Sequence, residues 1–263
     1  MSESFYEQLF GVRGKVALVT GGTRGIGLMI AEGLVRAGAR VYVSSRKLDA
    51  CAETERTLSA YGECIAIPCD INSLDGCRRL AEAVAAREDR LHLLVNNAGL
   101  TWSAPIDEFP EKAWDRVVDL DMKSPFFLSQ QLLPLLRAAA SPEERSVIVN
   151  ISSVNGIRPS PLQNYSYAAA KAGLAQLSAQ MARDLMDDHI NVNVIAPGPF
   201  KSKMTAPLYA TDELEAETRS RFAMKRWGRM EDVAGLTIML ASPAGSYLTG
   251  IEIPCDGGST SIR

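Results

Sequence analysis

The stretch Lys15-Val16-Ala17-Leu18-Val19-Thr20-Gly21-Gly22-Thr23-Arg24-Gly25-Ile26-Gly27 decides how this sequence is read. Its first six residues are a short apolar, β-branched run, the pattern of a strand buried on both faces of a parallel sheet. Glycines follow at once in the spacing G-x-x-x-G-x-G. Residues 26–38, IGLMIAEGLVRAG, then space apolar side chains at helical intervals up to Gly38, a residue suited to ending a helix. A strand that turns through glycines into a helix aims unpaired N–H groups at the turn, where a diphosphate can approach the backbone. The G-K-[ST] ending of a Walker loop is missing, which excludes that reading.

The same alternation continues outward. Further strands are predicted at 39–45, 63–70, 91–99, 145–153, 190–198 and 251–258, and helices at 47–62, 73–87, 111–139, 165–187 and 231–241. Pro125 and Pro134 are candidate kinks in the long helix, and 199–229 reads as irregular or short-helical. Seven strands alternating with helices imply an α/β fold, a doubly wound parallel sheet with helices on both faces. The expectation is one domain over residues 1–263, binding its ligand at the carboxyl ends of the strands where the winding reverses.

Composition narrows the function. A net charge of −3 argues against nucleic acid or an anionic membrane as the main partner. No apolar run is long enough to span a membrane, and MSESFYEQLFG lacks the basic start and apolar core of a signal peptide. Five cysteines, odd in number and without a CxxC pair, read as reduced thiols of a cytoplasmic protein. With only His92 and His189, no histidine-based metal site is expected.

Cofactor selection turns on the end of the second strand, Ser44-Ser45-Arg46. An acidic residue there would hold the ribose hydroxyls of NAD, whereas arginine suits the extra phosphate of NADP. Asp49 lies beyond the strand, where a following helix's dipole accounts for it. Arg24 supplies a second cation, so NADP(H) is the expected cofactor.

Read together, these residues resemble the short-chain dehydrogenase/reductase family. Gly21, Thr23, Arg24, Gly25, Ile26 and Gly27 resemble its cofactor turn. Asp70 and Ile71 resemble its adenine-contacting pair, and Asn96-Asn97-Ala98-Gly99 its strand-four motif. Pro197-Gly198 and Asp256-Gly257-Gly258 are similar to its late landmarks. Ser153, Tyr167 and Lys171 resemble its catalytic serine and Y-x-x-x-K. Within the family, LSAYG, QQLLPLLR, DHINVNVIAPG and WGRMED are most similar to bacterial NADPH-dependent 3-oxoacyl reductases of the rhamnolipid-associated type. The resemblance also implies a homo-oligomer, tetramer or dimer, with the 111–139 and 165–187 helices at one interface.

The chemistry that the resemblance assigns to these residues is physically coherent. In Tyr165-Ser166-Tyr167-Ala168-Ala169-Ala170-Lys171, positions 167 and 171 share one helical face. By spacing alone, an ordinary tyrosine and a surface lysine are the better explanation. Beside Ser153 and a nucleotide turn, a lysine cation would acidify the phenol, which then exchanges a proton with a carbonyl or hydroxyl oxygen. Ser153 would donate to that same oxygen, and Lys171 would also hold the nicotinamide ribose.

One position departs from the family pattern. Asp121 stands where the resemblance implies a catalytic asparagine in the helix after NNAG. A carboxylate near Lys171 would offset the cation's effect on Tyr167 and move the alkaline limb of activity upward.

The site lip is expected at 154–164, with a substrate lid at 199–222. Trp102, Asn155, Ile157, Pro199, Phe200, Met204 and Leu208 are its candidate lining, and they suit a hydrophobic carbonyl compound or acyl thioester. Two alternatives stand beside this carbonyl reductase: a sugar or polyol dehydrogenase with the same motifs, and a regulator that senses NADP(H) without turnover.

Overall fold

The computed structural model describes residues 4–160 and 162–262. The strands are β1 Val16–Thr20, β2 Arg40–Ser45, β3 Cys64–Pro68, β4 Leu93–Asn96, β5 Ser146–Ile151, β6 Ile190–Pro197 and β7 Glu252–Cys255. All pair in parallel in the order β3-β2-β1-β4-β5-β6-β7. The chain winds outward from β1 to β3, then crosses back to lay β4 on the other flank of β1. The winding therefore reverses between β1 and β4, and the crevice opens at their carboxyl ends.

The helices are α1 Phe5–Phe10, α2 Gly25–Arg36, α3 Leu48–Leu58, α4 Leu74–Ala85, α5 Glu111–Val118, α6 Ser124–Ala139, α7 Val154–Ile157, α8 Tyr165–Asp184, α9 Asp212–Ser220 and α10 Met230–Ala241. The period of two along each strand sends alternate side chains to opposite cores. Ala17, Val19, Val41, Val43, Val95 and Val149 meet Ile30 and Leu34 of α2, Leu58 of α3 and Val233 of α10 on one face. Leu18, Tyr42, Leu94, Ile148 and Val192 meet Leu80 of α4 and Leu128, Leu132 and Leu136 of α6 on the other. Each such leucine stabilises the fold by about 1.5–3 kcal/mol through the apolar surface it removes from water. Small residues set one helix contact: a Cβ on Gly33 of α2 would lie 2.4 Å from the Ala234 Cβ of α10.

Two features differ from the sequence-based expectation. The first helix, α1, is only six residues long and is started by a reciprocal cap in which Glu7 N–H donates to Ser4 Oγ and Ser4 N–H to Glu7 Oε2. Such a helix is too short to leave a periodic signature. The 111–139 helix is not kinked at its prolines. Instead α5 and α6 are joined by a wide π turn, Asp119–Lys123, closed by Ser124 N–H donating to the Asp119 carbonyl. Pro125 falls in the first turn of α6, where it loses no needed bond, and Pro134 is accommodated inside the helix. Within 199–229, a folded cap forms: Tyr209 and Phe222 pack edge-on against Trp227, whose Nε1 donates to Glu215 Oε1 at 3.1 Å.

At the amino ends of the strands, the His92 backbone N–H donates to the Val16 carbonyl at 2.9 Å, and its Nδ1 accepts the Val16 N–H at 3.0 Å. Burial, reinforced by Lys15, holds the imidazole below its ordinary pKa of 6.5. The unfolded chain thus binds this proton more readily than the native one. The resulting stability is complete above about pH 6.5 and is lost as pH falls below it. In His92→Asn, whose Oδ1 can accept the same bond, thermal unfolding between pH 7 and 5 should fall off less steeply than in the parent.

Candidate active site

The glycine turn is built as a cradle. Gly21 and Gly25 adopt φ of +64° and +53°, which L side chains rarely occupy. A Cβ on Gly27 would lie 2.3 Å from Asn97 Nδ2 and 2.4 Å from the Gly21 carbonyl oxygen. Thr20 locks the turn to the end of β4: its Oγ1 accepts the N–H groups of Asn97 and Ala98, both at 3.0 Å. Asn97 Nδ2 donates to the Thr20 carbonyl at 2.8 Å. Asn97 and Ala98 therefore shape the cradle, a task carried by contacts within the protein.

The remaining cofactor candidates line the same edge of the sheet. Arg24 is exposed at the start of α2, with no capping bond from its side chain. Thr23 is half-buried in the turn. Arg46 is exposed at the end of β2, and its guanidinium lies 3.9 Å from an Asp70 carboxylate oxygen. Ile71 is buried, and its carbonyl accepts the Ser124 hydroxyl at 2.6 Å. Pro197 ends β6, and a Cβ on Gly198 would lie 2.7 Å from Asp256 Cα, so packing against the final turn also demands glycine there. A dinucleotide fits this donor set: a glycine-floored helix N-terminus for a diphosphate, and two exposed guanidiniums for a further phosphate.

Beyond β5 the reactive side chains converge. Ser153 starts α7, and its Oγ accepts the Asn155 N–H at 3.2 Å. On α8, Tyr167 and Lys171 face the same way, with Nζ 5.5 Å from the phenol ring centre. Tyr165, two residues away, instead packs edge-on against Phe109. Lys171 Nζ donates to the Ile151 carbonyl at 2.9 Å and lies 3.0 Å from Asp121 Oδ1. The latter contact is an ion pair by distance, although its angle is outside hydrogen-bond alignment. The other Asp121 oxygen accepts the Leu100 N–H at 2.9 Å. Asp121 is fully buried and Lys171 only 4% exposed.

Electrostatics follow from that burial. Burial disfavours the Lys171 ammonium, but Asp121 and Tyr167 together outweigh it and raise the lysine above its ordinary value. Burial also raises Tyr167; Asp121 adds to this, while Lys171 and the Ser153 hydroxyl oppose it. The phenol therefore keeps its proton at neutral pH.

Several partners had no sequence signal. Leu100 and Ile151 act through backbone groups, which carry no side-chain signature. Ser152 Oγ donates to the Lys171 carbonyl at 3.0 Å, and a Cβ on Gly25 would sit 3.2 Å from Ser202 Cβ, so the cap reaches over the cradle. Gly99 also gains a specific reason: a Cβ there would lie 2.5 Å from Asp121 Oδ1 and 3.5 Å from Lys171 Nζ. In the expected lip, Trp102 and Ile157 are 46% and 41% exposed and Met204 47%, whereas Phe200 is buried against Gly228. Pro161 lies outside the described residues. A separate cleft of about 290 Å³ is lined by Arg13, Lys15, Arg145 and Asn191 at the amino ends of β1, β5 and β6, remote from these groups.

Comparison with known proteins agrees with this geometry. The family profile described as Enoyl-(Acyl carrier protein) reductase matches residues 21–260. The chain is a short-chain dehydrogenase/reductase. As such it is an oxidoreductase with a Rossmann-type parallel sheet, as its sequence led us to expect. It is 51% identical to the rhamnolipids biosynthesis 3-oxoacyl-[acyl-carrier-protein] reductase of Pseudomonas aeruginosa, over 95% of this chain and 97% of that one. The P. aeruginosa RhlG/NADP active-site complex superimposes with a TM-score of 0.94 at 49% identity, covering 96% and 99% of the two chains. A 2-dehydro-3-deoxy-D-gluconate 5-dehydrogenase of Escherichia coli is 34% identical over 95% of this chain and 96% of its own. Among the described residues, no helix is long and apolar enough to cross a membrane.

The packing of Gly99 can be tested directly. Gly99→Ala should cost about 1–3 kcal/mol, the usual range for overpacking a buried site. The cost should fall by at least half in an Asp121→Ala background, where the clashing oxygen is absent. A double-mutant cycle by denaturant unfolding reads the coupling.

Proposed function

We propose that this protein is a cytoplasmic, NADPH-dependent reductase that converts the ketone of a 3-oxoacyl thioester, or a related apolar carbonyl compound, to a secondary alcohol. The observation that carries the reading is the convergence of Ser153, Tyr167 and Lys171 behind a glycine cradle flanked by Arg24 and Arg46. The relatives that bind NADP and act on 3-oxoacyl groups support it.

Bound NADPH supplies the hydride to the carbonyl carbon. Gly21, Gly25 and Gly27 would let its diphosphate approach the start of α2, and Arg24 and Arg46 would hold its additional phosphate. Asp70 and Ile71 would hold the adenine, while Asn97, Ala98, Gly99, Pro197 and Gly198 would form the walls nearer the reacting end. Ser153 donates a hydrogen bond to the carbonyl oxygen and holds it against Tyr167. Tyr167 gives its proton to that oxygen as negative charge develops there. Lys171, anchored by Ile151 and Asp121, is placed to hold the cofactor's ribose and to keep the phenol aligned. Residues 199–222 act as the substrate lid, and Trp102, Ile157 and Met204 offer an apolar mouth to an acyl chain. The working assembly is a homo-oligomer built on α5, α6 and α8.

The gluconate-type relatives favour a second reading, oxidation of a sugar acid. The exposed apolar side chains at the mouth support the acyl substrate over a polyhydroxylated one.

Spectrophotometric turnover of NADPH with acetoacetyl-CoA, apolar ketones and keto-sugar acids tests the assignment. We expect the acyl thioester to be reduced, with NADPH preferred over NADH. Tyr167→Phe should lower kcat by about 10²–10⁴-fold while NADPH still binds. Preference for NADH, or for keto-sugar acids, would refute the respective half of the proposal. Undiminished turnover in Tyr167→Phe would refute the assigned acid.

A further inference from the structure

We infer that the buried Asp121–Lys171 ion pair makes this site a reductive one: Asp121 fixes the ammonium and cancels much of its charge, so that Tyr167 serves as proton donor to a ketone far better than as proton acceptor from an alcohol. This inference rests on the proposed carbonyl chemistry and adds the direction for which the site is built.

The geometry carries the argument. Asp121 lies in the π turn between α5 and α6, with one oxygen 3.0 Å from Lys171 Nζ and the other receiving the Leu100 N–H at 2.9 Å. Burial pushes the Asp121 carboxyl above its ordinary range, while Lys171 beside one oxygen and the Leu100 N–H on the other oppose that rise. A protonated carboxyl would turn one oxygen into a donor aimed at an ammonium or an amide, so this donor set favours the carboxylate. Gly99 clears the space in which the pair forms. Among the described residues, the charged groups acting on Tyr167 are Lys171 from α8 and Asp121 from the π turn, and the Ser153 hydroxyl, after β5, also acts on it.

An isolated ammonium beside a phenol favours the phenolate. An ammonium in contact with a carboxylate presents a dipole instead, and its effect falls off much faster with distance. Tyr167 feels both charges, and their contributions oppose one another. The consequence differs by direction. In reduction, the Tyr167 O–H bond breaks, the proton joins the carbonyl oxygen, and hydride from NADPH forms the new C–H bond; solvent then returns a proton to the phenolate. In oxidation, the phenolate must already exist to take the alcohol proton as hydride leaves to NADP⁺. A phenol that resists ionisation supports the first sequence across neutral pH and starves the second. Asp121 itself touches no reacting atom and acts through Lys171, as a positioning residue.

The test compares the parent with Asp121→Asn. Direct ionisation of Tyr167 is read on the cofactor-free protein by ultraviolet difference titration, with Tyr167→Phe of each background subtracted to isolate this phenol. In parallel, pH profiles of kcat are recorded for ketone reduction and for oxidation of the product alcohol. We expect the Tyr167 titration to move down by about one to two pH units in Asp121→Asn. The alkaline limb of reduction and the acid limb of oxidation should both move down with it. At a pH between the old and new midpoints, kcat for oxidation should rise about tenfold relative to kcat for reduction. Superimposable titrations, or a shift upward, would overturn the inference. If Asp121→Asn does not fold by circular dichroism, Asp121→Ser removes the same charge in a smaller side chain and answers the same question. Lack of turnover by the parent in either direction would count against the carbonyl chemistry itself, whereas the difference titration judges the ion pair separately.

Discussion

The arrangement depends on one short set of hydrogen bonds at the winding reversal. Thr20, the last residue of β1, uses its hydroxyl to accept the Asn97 and Ala98 N–H groups, and its carbonyl accepts from the Asn97 side chain. Parallel strands cannot be joined by a tight turn, so β1 and β4 meet only after three helical crossovers have carried the chain away and back. Those bonds fix where β4 ends relative to the glycine turn. Everything downstream on the chain, from Leu100 to the π turn and Lys171, is positioned from that point.

Buried polarity is concentrated on this edge, and part of it is joined in a chain of side-chain hydrogen bonds. Asn96 Nδ2 donates to Asn150 Oδ1 at 2.8 Å, and Asn150 Nδ2 donates to Ser178 Oγ at 2.8 Å, tying β4, β5 and α8 together through the core. This chain holds α8 in register with the sheet, and α8 carries Tyr167 and Lys171. Removing two charges from water costs several kcal/mol for each ion, and their attraction offsets that only with good geometry and further hydrogen bonds. Asp121 and Lys171 have those further bonds, to Leu100 and Ile151. The pair is better understood as a device of the site than as a source of stability.

Much of this could be read from the residues themselves. The strand–glycine–helix start, the seven-strand alternation and the Tyr167–Lys171 spacing rest on local periodicity, which a linear pattern preserves. The departure at Asp121 was also visible, because it interrupts a recognisable order of motifs. The break between α5 and α6 was not. The prolines drew attention to positions 125 and 134, yet the helix opens at 119–123, where no residue type announces a π turn. The hydrogen bonding of Ser124 to both Ile71 and Asp119 supports that opening, and Ile71 is distant in sequence.

The sequence by itself determined the order of strands and helices, the glycine cradle, and the set of side chains able to move a proton. It did so because backbone sterics and amphipathic spacing are local properties. Tertiary structure alone decided that Asp121 would touch Lys171 directly in a buried ion pair, that Gly99 would be needed to admit them, and that Leu100 and Ile151 would complete the pair. Those contacts join a loop, a π turn, a strand end and a helix far apart in the chain, and a charge's effect depends on distance and burial that only the folded sheet sets.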